Sequence, residues 1–122
     1  MKSRLFVSFG LLILLAPGLG LAQTTGDAKA GKAKYDALCV GCHGATGKGD
    51  GAAAAALTPK PGDFTNCKEM AKLSDDFLYK IVKDGGQGVK KSPMMPPWGA
   101  SLNEQGLHNM VAYVKSFCKR GR

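Results

Sequence analysis

The sequence predicts an all-α domain. Three observations carry that class. Three segments place apolar residues at three- and four-residue steps, the period of a helix with one buried face. No segment alternates convincingly, so no strand is expected. Two long stretches rich in glycine and proline separate the helical segments, and loops of that length in a small domain are expected to wrap something.

The chain has 122 residues, enough for one small domain. Its first 22 residues read as a cleaved signal peptide. Lys2 and Arg4 form a positive start, "LFVSFGLLILLAPGLGLA" an apolar stretch, and Gly20-Leu21-Ala22 a small-residue cleavage site. The stretch from Leu5 to Ala22 is near the lower length of a spanning helix, but Gly10, Pro17, Gly18 and Gly20 weaken it as an anchor. No cysteine at the junction offers a lipid attachment point. The expected organisation is therefore a signal peptide over 1–22 and a single domain over 23–122, exported to the periplasm without a permanent membrane anchor.

Cleavage removes Lys2 and Arg4, taking the 17 basic residues to 15 against 9 acidic ones, a net charge of +6. The lysines are scattered, with little aromatic interleaving, so nucleic-acid binding is not expected. A basic surface suits docking to acidic protein partners.

The first helix is expected over 28–40. Asp27 is a good N-cap, and Ala28, Gly31, Tyr35, Leu38 and Cys39 share a face. "GATGKGDG" then excludes regular structure, and "AAAAAL" at 52–57 has room for one helical turn before "TPKPGDF" breaks it. A second helix is expected over 75–84, capped by Ser74, with Asp75 and Asp76 favoured by the dipole of its first turn. Phe77, Leu78, Ile81 and Val82 are its apolar side, and Gly85 its stop. "DGGQGVKKSPMMPPWG" is the second long loop. The last helix, over 103–118, has the cleanest period: Leu107, Met110, Val111, Val114, Phe117 and Cys118. Either Ser101 with Glu104 (a capping box) or Asn103 can start it.

The chemistry is concentrated in Cys39-Val40-Gly41-Cys42-His43. C-x-x-C-H is the attachment signature of a c-type haem. Two thiols three positions apart reach the two vinyl groups on one side of the macrocycle, and the next residue places its imidazole under the iron. A thioredoxin-like site needs a βαβ context that is absent. A zinc site needs four ligands, and Cys67 and Cys118 lack the short spacing of a second ligand pair. In an exported protein these two cysteines are candidates for a disulfide instead.

With His43 as one axial ligand, the other has to come from His108 or a methionine. His108 reads as a helix-surface residue, Met110 lies on a buried helical face, and Met70 lies in a short polar linker. Met94 and Met95 sit in a loop stiffened by Pro93, Pro96 and Pro97, downstream of the middle helix, where the chain can return to the opposite haem face.

These residues, in this order, resemble the class I c-type cytochromes, in particular small bacterial single-haem cytochromes c. The likeness runs through "GKAKYDALCVGCHG", "GKGDG", "TPKPGDFT", "LSDDFLYKIVKDGG", "SPMMPPWG" and "LNEQGLHNMVAYVKSF", covering residues 26–119. The resemblance implies a cytochrome c fold: three main helices and short turns around one covalently bound haem. It implies that the N- and C-terminal helices cross, with Gly31 and Tyr35 on the first and Met110 and Tyr113 on the last. It selects Met95, before the proline of a Met-Pro unit, as the axial ligand, with Met94 the alternative. It gives His43 a backbone acceptor in the loop after the motif; Ala52 stands where relatives often have proline, and Pro59 and Pro61 are the other candidates. Trp98 and Tyr35 are the expected packing residues of the haem.

The function expected from this reading is one-electron transfer by a monomeric carrier, not catalysis: Cys39 and Cys42 hold one haem c, and His43 and Met95 ligate its iron. The alternatives are a non-catalytic haem subunit of a larger oxidoreductase, and a gas-binding or peroxidase-like haem protein.

Overall fold

A computed structural model describes residues 24–120; the expected signal segment lies outside them. The regular elements among the described residues are all helical: α1 (Ala28–Leu38), α2 (Val40–His43), a 3-10 turn (Ala54–Ala56), α3 (Cys67–Met70), α4 (Asp75–Gly88) and α5 (Glu104–Arg120). No described helix is long and apolar enough to cross a membrane.

Local chemistry sets the helix starts. The Asp27 carboxylate accepts from the amides of Lys29 and Ala30, and the Ser74 hydroxyl accepts from the amide of Phe77 at 3.1 Å. Asn103 starts α5, its side-chain oxygen accepting from the Gly106 amide at 2.8 Å. Each satisfies N–H groups that have no partner within the first helical turn. The short α3 was not expected from periodicity; Asn66 caps it by accepting from the Glu69 amide.

The core lies where α1 crosses α5. A Cβ built on Gly31 would run into the carbonyl of Asn109 and lie 2.9 Å from Tyr113 Cβ. Gly26 makes a second such approach, 2.9 Å from Ala112 Cβ and against the carbonyl of His108. The polar side chains of α5 then tie down the entering strand of coil: Asn109 accepts from the Asp27 amide at 2.8 Å, and Gln105 donates to the Thr25 carbonyl at 3.0 Å. Beside the crossing, Tyr35 is fully buried and Met110 is 1% exposed. The Tyr35 ring meets Tyr113 edge-on with centroids 5.0 Å apart, and Phe117 at 5.5 Å.

Two further ties surround this core. Cys67 and Cys118 form a disulfide, with Cα atoms 5.3 Å apart, joining α3 to the end of α5. An ion pair between Lys115 and Asp75 links α5 to the start of α4.

Candidate haem site

One mostly apolar cavity of about 520 Å³ opens between these elements, within the roughly 300–1,000 Å³ of small-molecule and cofactor sites. Leu38, Cys39, Cys42 and His43 form one wall, and Leu57, Pro59, Pro61 and Phe64 continue it. Phe77, Leu78, Ile81 and Val82 of α4 form another. Met94, Met95, Pro96 and Trp98 close it from the second long loop.

The motif wall is held by backbone bonds from the glycine-rich loop. The amides of Gly49, Gly51 and Ala53 donate to the carbonyls of His43, Cys42 and Gly41 at 2.9, 3.0 and 2.9 Å. Gly44 leaves the motif with φ of 78°, a region that favours glycine. Gly51 is needed because a Cβ there would meet the carbonyls of Val40 and Gly41. Loop composition thus converts directly into support for the C-x-x-C-H turn.

The imidazole of His43 is fixed from two sides. Its Nδ1 lies 3.3 Å from the carbonyl of Gly62. A carbonyl can only accept, so Nδ1 carries the proton and Nε2 keeps the lone pair that a metal requires. The Phe64 ring stacks on it at 4.5 Å, with 17° between planes. Burial holds the His43 pKa below its ordinary value, with the Gly62 bond opposing, so the neutral ligating form is favoured. The acceptor is therefore Gly62, rather than Ala52, Pro59 or Pro61. The turn at Ala52 supports the motif through its neighbours, the Gly51 and Ala53 amides donating to the Cys42 and Gly41 carbonyls, and the chain approaches His43 one residue after Pro61. Gly62 and Phe64 were missed from sequence; "GDF" signals a turn, but not which carbonyl or ring it delivers.

The two motif thiols are free and differ in setting. Cys39 is 9% exposed, lies 3.9 Å from the sulfur of Met110, and has its pKa pushed up to about 11, first by burial and then by Cys42. Cys42 is only partly buried. The disulfide removes Cys67 and Cys118 from any four-cysteine metal set.

On the other side, Met94 and Met95 both line the cavity, but Met94 is 58% exposed and Met95 only partly so. Met70 and Met110 do not line it, nor does His108, whose ring instead meets Tyr79 at 4.9 Å. Trp98 lines the cavity. Tyr35 does not. Its hydroxyl donates to the Gly44 carbonyl at 2.8 Å and its ring belongs to the helix crossing, so it supports the exit of the motif rather than the cavity surface.

A thiol pair, a half-buried imidazole with its Nδ1 bound to a carbonyl, and a thioether around one apolar cavity are the donor set of a covalently attached haem. A helical fold built around such a cavity defines a class: the c-type cytochromes. Residues 26–114 match the family described as cytochrome c oxidase, cbb3-type, subunit III. The chain is 37% identical over 93 residues to cytochrome c-554(547) of Halothiobacillus neapolitanus, covering 73% of this chain and 94% of that one. It is 36% identical over 114 residues to cytochrome c-555 of Chlorobaculum tepidum, covering 89% and 93%. Among solved structures, a chain of the reducing HAO-like protein complex of Kuenenia stuttgartiensis superposes with a TM-score of 0.60 at 27% identity, covering 75% of this chain and 42% of that one. The chain belongs to the class I cytochrome c family, whose cofactor is a covalently attached haem c with its iron.

Proposed function

We propose that the protein is a periplasmic one-electron carrier whose haem is held by thioether bonds to Cys39 and Cys42 and ligated by His43 and Met95. The observation that carries the reading is that His43 and Met95 line one cavity from different segments of the chain. When bound, the haem iron supplies the one-electron redox chemistry, and His/Met ligation raises its reduction potential.

The chain's own residues do the rest. The Gly62 carbonyl and the Phe64 ring orient His43. Burial favours its neutral form. Met95 supplies a soft sulfur that favours the reduced iron, and the prolines around it limit how far the loop relaxes. With His43 and Met95 both held to the iron, no coordination site would be left for a substrate, which favours electron transfer over catalysis. Lys60, Lys72 and Lys91 at the cavity edge suit an acidic redox partner.

One other reading has a specific basis. The matched family is described as an oxidase subunit, and the Kuenenia structure is a protein complex. A haem subunit of an oxidoreductase would carry the same cavity and a permanent partner.

Optical spectra of the purified oxidised and reduced protein, with a potentiometric titration, test the reading. The expected result is a low-spin haem with the weak near-infrared band of Met–Fe(III), one reversible one-electron wave, and no rapid carbon monoxide binding. A high-spin haem that binds carbon monoxide at once would overturn it in favour of a gas-binding or peroxidase-like protein. Purification at constant stoichiometry with a second protein would select the subunit reading.

A further inference from the structure

α4 loses its regular geometry at Gly85, where φ is 74° and ψ is 176°. That backbone region is essentially reserved for glycine. In an unbroken helix the Gly86 amide would donate to the carbonyl of Val82, four residues back. Here it turns away and donates to the carbonyl of Met95 at 2.9 Å. The Val82 carbonyl takes the Trp98 amide instead, and the Lys83 carbonyl takes the Gly99 amide, both at 2.9 Å. The Val82 and Lys83 carbonyls, which an unbroken helix would give to the amides of Gly86 and Gln87, are thus turned to the chain just after Met95, and the Gly86 amide to Met95 itself.

The exchange answers a need set by the sequence. Pro93, Pro96 and Pro97 have no N–H to donate, so within the segment only the Met94 and Met95 amides are left to hold it, donating to the Ser92 hydroxyl and carbonyl at 3.3 Å each. It is caught at Met95 and again at Trp98 and Gly99. The fit is close. Both Gly85 and Gly86 are buried. A Cβ on Gly85 would lie 2.8 Å from the Met95 carbonyl oxygen and 2.9 Å from the Pro97 nitrogen. A Cβ on Gly86 would collide with the Ser92 carbonyl and lie 3.3 Å from Met95 Cβ.

We propose that the Gly85–Gly86 break in α4 is the device that positions the Met95 sulfur at the iron, so that both glycines are positioning residues for the axial ligand. The inference rests on Met95 ligation. Displacing the loop by even a fraction of an ångström weakens a bond whose sulfur binds weakly, while the thioethers and His43 are anchored elsewhere.

The test uses the haem-loaded full chain with Gly86→Ala and Gly85→Ala. It measures the pH at which the near-infrared Met–Fe(III) band is lost. The midpoint is expected to fall by a unit or more in either variant, a tenfold shift of the equilibrium from bound to displaced methionine, with covalent haem content and far-UV helix signal retained. Leu107→Ala, a core truncation away from the loop, should melt earlier yet keep the wild-type midpoint. A Gly86→Ala protein with the wild-type midpoint overturns the inference, as does a Leu107→Ala midpoint that falls equally.

Hydrogen exchange on the wild-type protein gives a second measurement, independent of whether the variants fold. Displacing the sulfur from ferric iron with cyanide should speed exchange of the Gly86 and Trp98 amides about tenfold and leave the Leu107 amide unchanged, since coupling between the two is reciprocal. Unchanged exchange at Gly86 and Trp98 overturns the inference. The two levels fail separately. A wild-type protein without the band, or one that loses it on Met94→Ala alone, sinks the Met95 reading and this inference together. A band lost on Met95→Ala but insensitive to Gly86→Ala sinks the inference only.

Discussion

The carbonyl of Asn109 occupies the space that a side chain on Gly31 would need. A mid-helix glycine costs about 1 kcal/mol relative to alanine, and here that cost is offset by the approach of two helix backbones. The consequence is steric. Gly31→Leu has to push α1 off α5 and open the packing of Tyr35 on Tyr113 and Phe117. Overpacking costs typically about 1–3 kcal/mol, and each 1 kcal/mol moves the melting temperature of a domain this size by about 4–8 °C. The melt of Gly31→Leu should fall by about 10 °C or more. An unchanged melt would remove the crossing as a source of stability.

The disulfide between Cys67 and Cys118 closes a loop with a sequence separation of 51. In the chain-entropy model such a loop stabilises by roughly 4 kcal/mol. Cys118→Ser should therefore lower the melting temperature by about 15 °C or more, with the haem still attached through Cys39 and Cys42. Intact mass after alkylation without reductant checks the premise. Two added alkyl groups on the mature holoprotein would show the thiols to be free and refute it.

What the sequence made legible follows from how local each signal is. The N-caps at Asp27 and Ser74 and the break at Gly85 are written in single residues, and each lies where expected. The C-x-x-C-H motif is equally local. Gly31, with Tyr113 across the crossing, came from the family likeness. By contrast, the choice of Asn103 over Ser101 depends on which oxygen reaches the Gly106 amide, which composition does not encode. Gly62 as the acceptor for His43, and Phe64 as its stacking ring, depend on the path of an irregular loop. The family likeness gave Tyr35 two places, the helix crossing and the haem. The face it shares with Cys39 is wide enough to serve two surfaces, and Tyr35 falls on the helix crossing. Periodicity tells which residues are buried, not against what.

The turn that presents Gly62 and Phe64 is titratable. Asp63 accepts from the Thr65 hydroxyl at 2.6 Å and from the Thr65 amide at 2.8 Å. These bonds, the hydroxyl first, hold its pKa below 3.8, against a small opposing burial effect and with help from the Asn66 amide and Lys48. The folded value is depressed, so the contribution to stability is complete above the ordinary carboxylate range and is lost as pH falls through the folded pKa. Asp63→Asn should flatten the fall of melting temperature between about pH 5 and pH 2. Because the carboxylate is exposed, the loss at pH 7 should stay under about 1 kcal/mol. Acid limbs that superimpose for the two proteins would rule the turn out as an acid-sensitive element.

Met95 and Met94 separate by spectroscopy. Met95 is the less exposed of the two and has its carbonyl bound by the Gly86 amide. Met95→Ala should abolish the near-infrared band. It should also lower the reduction potential on the order of 0.1 V, a modest part of the roughly 0.8 V that axial ligands command. Met94→Ala should leave both nearly unchanged. The reverse pattern would make Met94 the ligand and Met95 the packing residue.

Lysine placement predicts how the protein meets its partners. Lys60 and Lys91 lie at the cavity edge, and the whole chain carries a net charge of +8. Attraction between exposed charges is screened within about 8 Å at physiological salt, against about 30 Å at 0.01 M. Oxidation of the reduced protein by an anionic complex such as hexacyanoferrate should therefore slow about tenfold over that range, while oxidation by a cationic cobalt complex should accelerate. Lys60→Glu with Lys91→Glu should slow the anionic reaction at low salt and match wild type at high salt. Equal salt slopes for the wild-type and double-variant proteins would show that steering comes from the diffuse charge of the chain and not from the lysines beside the cavity.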